Sequence, residues 1–203
     1  AIFFNAEFSE PWCLVSPESR TLAPVLAQGT GHVIIYHLLC EGRAYAQLPD
    51  GERVALSAGD LVTFPHGHEH VLGNGHPVPS IDAGTALPGL LEGGLELLRI
   101  GGGGAPSRFI CGFLACDAQP FNPLLENLPP VIKAGDPKDS NTGWVGQMVR
   151  QAMMESADKR AGGESVLAKL SELMFIEVVR RHLEVLPPEQ TGWLAGLRDP
   201  FIG

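Results

Sequence analysis

Residues 59–74, GDLVTFPHGHEHVLGN, decide the fold. A short apolar run at 61–64 follows the Gly-Asp pair at 59–60 and ends at 65–67, PHG, which has the composition of a tight turn. An extended pattern then resumes at His70. This order predicts a strand, a turn and a second strand, with the imidazole of His70 directed to the inner side of the turn.

The small and polar residues of this stretch follow a fixed spacing. Five residues separate Gly59 from Pro65, and one separates Pro65 from Gly67. Two residues separate Gly67 from His70, and three separate His70 from Asn74. The spacing resembles the second signature of the cupin barrels and meets it at every position. The resemblance implies a small β-barrel, and the alternative is an ordinary hairpin with a chance histidine.

Composition and charge bound the kind of protein. The chain has 203 residues, of which 44% are hydrophobic and 18% charged, as in a folded soluble protein. Its apolar runs are shorter than the roughly eighteen residues that a membrane span needs, and no secretory leader pattern is seen, so we expect a cytoplasmic protein without membrane contact. The formal net charge of −9 repels phosphate backbones, which argues against direct nucleic-acid binding.

The cysteines give no sign of a disulfide framework. Cys13, Cys40, Cys111 and Cys116 lack a CxxC spacing and lie in or beside apolar runs. They are predicted to be reduced core residues rather than disulfides or a zinc ribbon.

The rest of the chain alternates short strands with turns and then becomes helical. Strands are predicted before and after Pro11 and over 31–40, 43–48, 53–56, 95–100 and 107–115, with an irregular loop at 73–94. Prolines mark a crossing strap after Cys116, and apolar residues at helical spacing predict helices from about residue 144, over 166–183 and over 192–197.

These elements predict an α+β protein that is mainly β. Its expected architecture is a cupin-like antiparallel β-barrel (double-stranded β-helix) followed by a C-terminal α-helical segment. We expect residues 1–118 to form the barrel and residues 119–203 to form the strap and helices. The helix at 166–183 is expected to pack on the barrel, and it is also a candidate for pairing with its copy in a homodimer.

The first cupin signature, which supplies two histidines and a glutamate to the metal of catalytic cupins, is broken. With its last glycine aligned on Gly42, Ile35 stands at the glutamate position and Gly31 or a neighbour stands at a histidine position. His32 is one residue out of phase, which in a strand sends a side chain to the opposite face. The enzymatic ligand set is therefore predicted to be lost.

A smaller set of polar residues is still predicted inside the barrel. Alternation along the strand at 31–40 places His37 on the interior face, so we expect His37 and His70 to meet there. Cys111 on a later strand is a candidate third ligand for zinc or another divalent metal, and His68 is a fourth if the turn is bulged. The alternative is that the buried histidines hydrogen-bond only to protein groups.

With these residues in place, the chain resembles the cupin-like N-terminal regulatory domain of AraC-type transcriptional regulators over nearly its whole length. The residues that carry the resemblance are Pro11-Trp12, 36–44 (YHLLCEGRA), 56–62 (LSAGDLV), Pro65, Gly67, 70–72 (HVL), Cys111-Gly112, 122–129, 167–181, Trp193, Leu194, Leu197 and Asp199-Pro200. One departure is His68, which stands where relatives often have an acidic residue.

The resemblance implies a module that senses a small-molecule effector and forms a homodimer through its C-terminal helices. His37, Tyr45 and His70 are the interior groups expected to contact the effector, whose identity the residues leave open. DNA would be bound only by two helix-turn-helix units that in this family follow the position of Gly203.

Two other functions compete with this interpretation. One is a metal-dependent cupin enzyme, either a dioxygenase or an isomerase, against which the broken first signature argues. The other is a structural dimerisation module whose barrel is filled by side chains, as in many small barrels.

Overall fold

The structure is a computed structural model that describes residues 3–27, 29–85, 98–116, 123–135, 147–148, 151, 154–155, 161–187 and 196. Its strands are β1 (Phe3–Ser9), β2 (Trp12–Ser16), β3 (His32–Glu41), β4 (Arg43–Gln47), β5 (Val54–Ser57), β6 (Leu61–Phe64), β7 (His70–Asn74), β8 (Ile81–Asp82), β9 (Leu98–Gly101), β10 (Pro106–Cys116) and β11 (Ile132–Ala134). The helices with described bounds are α1 (Ser19–Leu26), α2 (Pro123–Asn127) and α3 (Gly163–Val185). The prediction of a mainly β protein with a C-terminal helical segment is confirmed.

The strands form two sheets. In the six-stranded sheet the order is β11-β6-β3-β10-β1-β9, and in the five-stranded sheet it is β5-β4-β7-β2-β8. Neighbours are antiparallel except for β1 with β9 and β2 with β8, which are parallel. Within the described residues no strand pairing joins the sheets, so the predicted closed barrel is corrected to two sheets that share a core. Closure requires a particular tilt and stagger of the strands, which local sequence patterns do not encode.

The central strand β3 separates two apolar cores. Its residues 33–39 are all buried. His37 and Leu39 face the space between the sheets, whereas Tyr36 and Leu38 face the C-terminal helix. Because side chains alternate across a strand, β3 lies between the two cores and contributes side chains to both.

An aromatic cluster lies between the two sheets. Phe8 stacks on Trp12 with ring centroids 4.2 Å apart, and both rings meet Phe109 edge-on. The other buried members come from both sheets: Ala6, Leu39, Ala44, Ala46, Leu56, Val62, Phe64 and Leu72. Burial of a large apolar side chain contributes about 1.5–3 kcal/mol, so this cluster holds the two sheets together.

Helix α3 packs on the outer face of the six-stranded sheet. Its buried residues Leu167, Met174 and Val178 belong to a cluster with residues of β3, β6 and β10. Their spacing of seven and four residues places them on one side of the helix. This agrees with the amphipathic helix predicted at 166–183.

The segment after β10 was predicted only to cross the barrel, but it also supplies the edge strand β11. Lys133 Nζ lies 2.9 Å from Oδ2 of Asp60 and donates to the backbone oxygen of Ala55 at 2.9 Å. Asp60 is 2% exposed, and the same Oδ2 accepts the N–H of Ser57 at 2.8 Å. The aspartate that opens the motif at 59–74 therefore fixes β11 to the sheet.

Three further parts of the chain differ from the prediction or lie outside the described residues. Helix α1 contains Pro24, a residue that normally ends a helix, and it was not predicted. The loop predicted at 73–94 is interrupted by β8, and its residues 86–97 lie outside the described residues. Most of the predicted helices near residue 144 and at 192–197 also lies outside them. Of the helices described, none has the combined length and apolarity needed to cross a membrane.

Candidate functional site

His37 and His70 meet in the space between the two sheets. The two Nε2 atoms lie 2.7 Å apart, with His37 on β3 of one sheet and His70 on β7 of the other. Their side chains are 4% and 0% exposed. The pair is therefore a polar contact that joins the two sheets within the apolar cluster.

The turn before β7 sets the position of His70. Gly67 adopts a φ of 61°, and its N–H donates to the backbone oxygen of Phe64 at 3.0 Å. The carbonyl of Gly67 accepts the N–H of Ser19 at 2.7 Å, which ties the turn to helix α1. The ring of Phe64 then stacks on the His70 imidazole, with centroids 3.6 Å apart and an interplanar angle of 9°.

The hydrogen-bond partners fix the tautomers of both histidines. Nδ1 of His70 lies 2.8 Å from the backbone oxygen of His68, and because a carbonyl only accepts, this nitrogen carries a proton. In a neutral imidazole the other nitrogen is then an acceptor, so Nε2 of His70 accepts the N–H of His37 Nε2. His37 in turn has an unprotonated Nδ1, and in the described residues this buried atom has no hydrogen-bond partner.

Burial keeps the pair uncharged. Desolvation lowers the pKa of His70 to about 4, although the His68 carbonyl acts in the opposite direction. Desolvation, together with the neighbouring His70, lowers the pKa of His37 well below its usual range. At neutral pH the site consequently presents two neutral imidazoles.

The other predicted site residues do not share this position. Cys111 is the register partner of His37 on β10, and burial raises the pKa of its thiol. The side chain of His68 is exposed, and only its backbone carbonyl contacts the pair. Tyr45 lies between Ala44 and Ala46, which face the core. The Arg53 guanidinium lies over the Tyr45 ring, 4.1 Å from its centroid. The structure thus brings His37 and His70 together, places Cys111 opposite His37 on the neighbouring strand without grouping it with the pair, and places Tyr45 on the opposite face of its strand.

The described residues do not fit the predicted metal site. Across them, no group of three or more histidine, cysteine, aspartate or glutamate side chains is placed to hold one ion. A structural zinc site needs four such ligands, and a catalytic site needs three. His37 and His70 supply two nitrogens, and these already share a hydrogen bond.

Two histidines outside the pair have structural contacts. His66 lies with Nε2 2.8 Å from the backbone oxygen of Leu128 and so connects the turn to the segment after β10. His32 lies with Nε2 2.8 Å from the backbone oxygen of Pro65. Neither contact was predicted, because each joins positions more than thirty residues apart in the chain.

Sequence reasoning also missed the polar contact between β3 and α3. Oγ of Ser171 lies 3.0 Å from the backbone oxygen of Leu167 and uses its only proton there. Tyr36 therefore donates its hydroxyl proton to Ser171 Oγ, at 2.7 Å. Alternation from His37 was the available signal, since it places Tyr36 on the helix side of β3.

Comparison with known proteins gives one family and two curated relatives. A family model described as "Cupin" matches residues 1–184. A "Putative AraC-like transcription regulator" of Streptomyces antibioticus is 30% identical over 161 residues, which are 75% of this chain and 49% of that protein. A protein of the same description from Streptomyces lividans is 27% identical over 158 residues, 74% of this chain and 48% of that protein. The chain thus spans about half the length of the curated relatives it matches.

A search of solved structures returns a weaker likeness. The crystal structure of YhaK from Escherichia coli aligns with a TM-score of 0.29 and 16% sequence identity. The alignment covers 51% of this chain and 32% of that one.

Proposed function

This chain belongs to the cupin family, and from that premise we propose that it is the effector-sensing regulatory domain of an AraC-type transcription regulator. The observation that carries the proposal is the buried His37–His70 pair, which holds an unpaired acceptor in a cupin whose described residues include no metal-binding ligand set. The description of both relatives as putative AraC-like transcription regulators supports the regulatory role.

The remainder of such a regulator would bind DNA. The relatives are about twice as long as the matched segment, which leaves room for DNA-binding units beyond it. The net charge of −9 suits a domain that does not itself contact phosphate. In this proposal the chain reports the presence of an effector, and the following units act on the promoter.

Strand β3 provides a route from the effector to the helix. His37 faces the interior, and the next residue back, Tyr36, donates to Ser171 of α3. A ligand that moves His37 would therefore move Tyr36 and change how α3 packs. A ligand shifts such an equilibrium only by its differential affinity for the two arrangements.

The sensing role is tested by removing both interior imidazoles. In a strain lacking the full-length gene, the wild-type full-length protein should restore transcript levels at the promoters it occupies. We expect H37L/H70L to occupy the same promoters, measured by chromatin immunoprecipitation, but to lose at least about 90% of the transcript change, since the groups that contact the effector are gone. The Y36F protein should also occupy them and give a reduced change.

The control is H76Q, which removes an exposed histidine outside the pair and should behave as wild type. Restoration of the full transcript change by H37L/H70L would show that the pair is not the sensor. Stoichiometric iron or manganese in protein purified without chelator, together with oxygen consumption, would favour the enzyme alternative instead.

We also propose that α3 pairs with a second copy of the chain. Val166, Leu173 and Ile176 are 40%, 45% and 48% exposed, so they form an apolar stripe beside the buried stripe of Leu167 and Met174 rather than part of it. Their spacing of seven and three residues is that of a helix seam that packs against another helix. A second α3 would cover these side chains.

The pairing is tested by placing carboxylates on this surface. L173E/I176E should weaken self-association at least about tenfold, because the charges would be desolvated and face each other across a symmetric interface. Sedimentation velocity over a concentration series measures the change. V25E makes the same kind of substitution at an exposed apolar side chain of α1, 51% exposed, and should leave the association unchanged. Equal association of all three proteins would exclude α3 as the interface.

A further inference from the structure

The interior carries a hydrogen-bond acceptor that the protein does not use. Nδ1 of His37 is unprotonated and buried, and among the described residues nothing donates to it. Trp12, in the interior cluster, has a buried Nε1–H that is likewise unpaired there. Native proteins leave few buried polar atoms unpaired, so each such atom calls for an explanation.

We infer that the interior site takes an uncharged ligand that presents a hydroxyl or N–H donor to Nδ1 of His37. The inference rests on the proposed sensing function and names the chemical class of the effector. A bound donor would remove the cost of leaving this nitrogen unpaired, and a ligand of the same shape without a donor would not.

The tautomers decide whether the site binds a hydrogen-bond donor or a hydrogen-bond acceptor. The His68 carbonyl holds the proton of His70 on Nδ1, so His70 must accept from His37, and His37 can only accept from a ligand. A carboxylate would bring oxygen lone pairs toward this nitrogen lone pair, with no proton between them. Anionic ligands are therefore disfavoured at neutral pH.

A cationic ligand would lack a counter-charge. Asp60 and Glu155 are the buried carboxylates among the described residues. Asp60 is paired with Lys133, and Glu155 lies beside Gly163 at the start of α3. Burial of an unpaired charge is strongly unfavourable, so a neutral donor fits best. The Phe64 ring against His70 adds an apolar wall that suits an aromatic or cyclic alcohol.

Three ring compounds of similar size test the inference, namely phenol, toluene and benzoate. Titration calorimetry on the protein at neutral pH should show phenol binding at least about tenfold more tightly than toluene, because toluene leaves His37 Nδ1 unpaired. Benzoate should bind more weakly than phenol. In H37L/H70L phenol and toluene should bind with about equal affinity. In H76Q the preference for phenol should equal that of wild type.

Nitrogen-15 NMR of the histidine rings gives a second readout. Nδ1 of His37 should have the shift of an unprotonated imidazole nitrogen in the free protein and should move on addition of phenol but not of toluene. A protonated Nδ1 in the free protein, equal affinity for phenol and toluene, tighter binding of benzoate, or no saturable binding of any of the three would overturn the inference. If one of these results appears while H37L/H70L still abolishes the transcript change, the sensing function stands and only the assigned ligand class fails.

Discussion

Replacing Gly67 with alanine is expected to lower the free energy of unfolding by about 3 kcal/mol or more. The residue has a φ of 61°, and an added Cβ would overlap the Cβ of Ser19 and lie 2.8 Å from the backbone oxygen of Val33. Neither neighbour can move aside at low cost. The N–H of Ser19 donates to the Gly67 carbonyl at 2.7 Å, and Ser19 Oγ accepts the N–H of Val33 at 2.8 Å. Urea denaturation of the two proteins measures the difference.

Gly29 provides the matched control for this substitution. Its φ of 86° is also left-handed, but an added Cβ would have no heavy atom within 4 Å. G29A should therefore cost only the backbone strain, about 1 kcal/mol. Equal losses for G67A and G29A would mean that the contact with α1 is not what requires a glycine at position 67.

This steric requirement explains why the motif at 59–74 could be interpreted from the sequence alone. Its glycine and proline form a turn whose geometry depends on neighbours within a few residues. Its histidine follows three positions later and takes the face that the turn dictates. Similarly, strand alternation was enough to direct His37 inward, because β3 is a continuous strand with apolar residues on both faces.

Tyr45 shows where alternation was not enough. The triplet at 44–46 is Ala-Tyr-Ala, and the aromatic residue was the one predicted to face inward. The structure instead buries Ala44 and Ala46 in the cluster with Phe8 and Trp12, and it places Tyr45 beside Arg53. The large rings of this cluster leave room only for small side chains at these positions, and that depends on strands distant in the sequence.

The edge strand β11 and the Tyr36–Ser171 contact could not be predicted from the sequence for the same reason. Lys133 and Asp60 are 73 residues apart in number, and Tyr36 and Ser171 are separated by 135. A polar residue in a single sequence shows that it needs a partner when buried, but not which partner it has. The proton positions of the His37–His70 pair followed only once the His68 carbonyl had been located.

Acidification is expected to destabilise the domain through the two interior histidines. Burial lowers the pKa of His70 to about 4 and that of His37 well below its usual range, whereas in the unfolded chain both titrate near pH 6.5. Between these values the unfolded chain binds protons that the native state does not. The free energy of unfolding therefore decreases as the pH is lowered. The contribution is complete above about pH 6.5 and is lost as the pH falls towards 4, by up to about 1.4 kcal/mol per pH unit for each histidine.

The difference between wild type and H37L/H70L isolates this effect, because both proteins share every other titrating group. Urea denaturation from about pH 7 to about pH 4.5 should give wild type a steeper loss of stability than the double variant, by about 2 kcal/mol per pH unit near pH 5.5. H76Q, which lacks an exposed histidine, should follow wild type. Parallel profiles for wild type and H37L/H70L would mean that the pair takes up protons as readily in the native state as in the unfolded chain. In that case the neutral tautomers, and with them an acceptor-only Nδ1 on His37, could not describe the site.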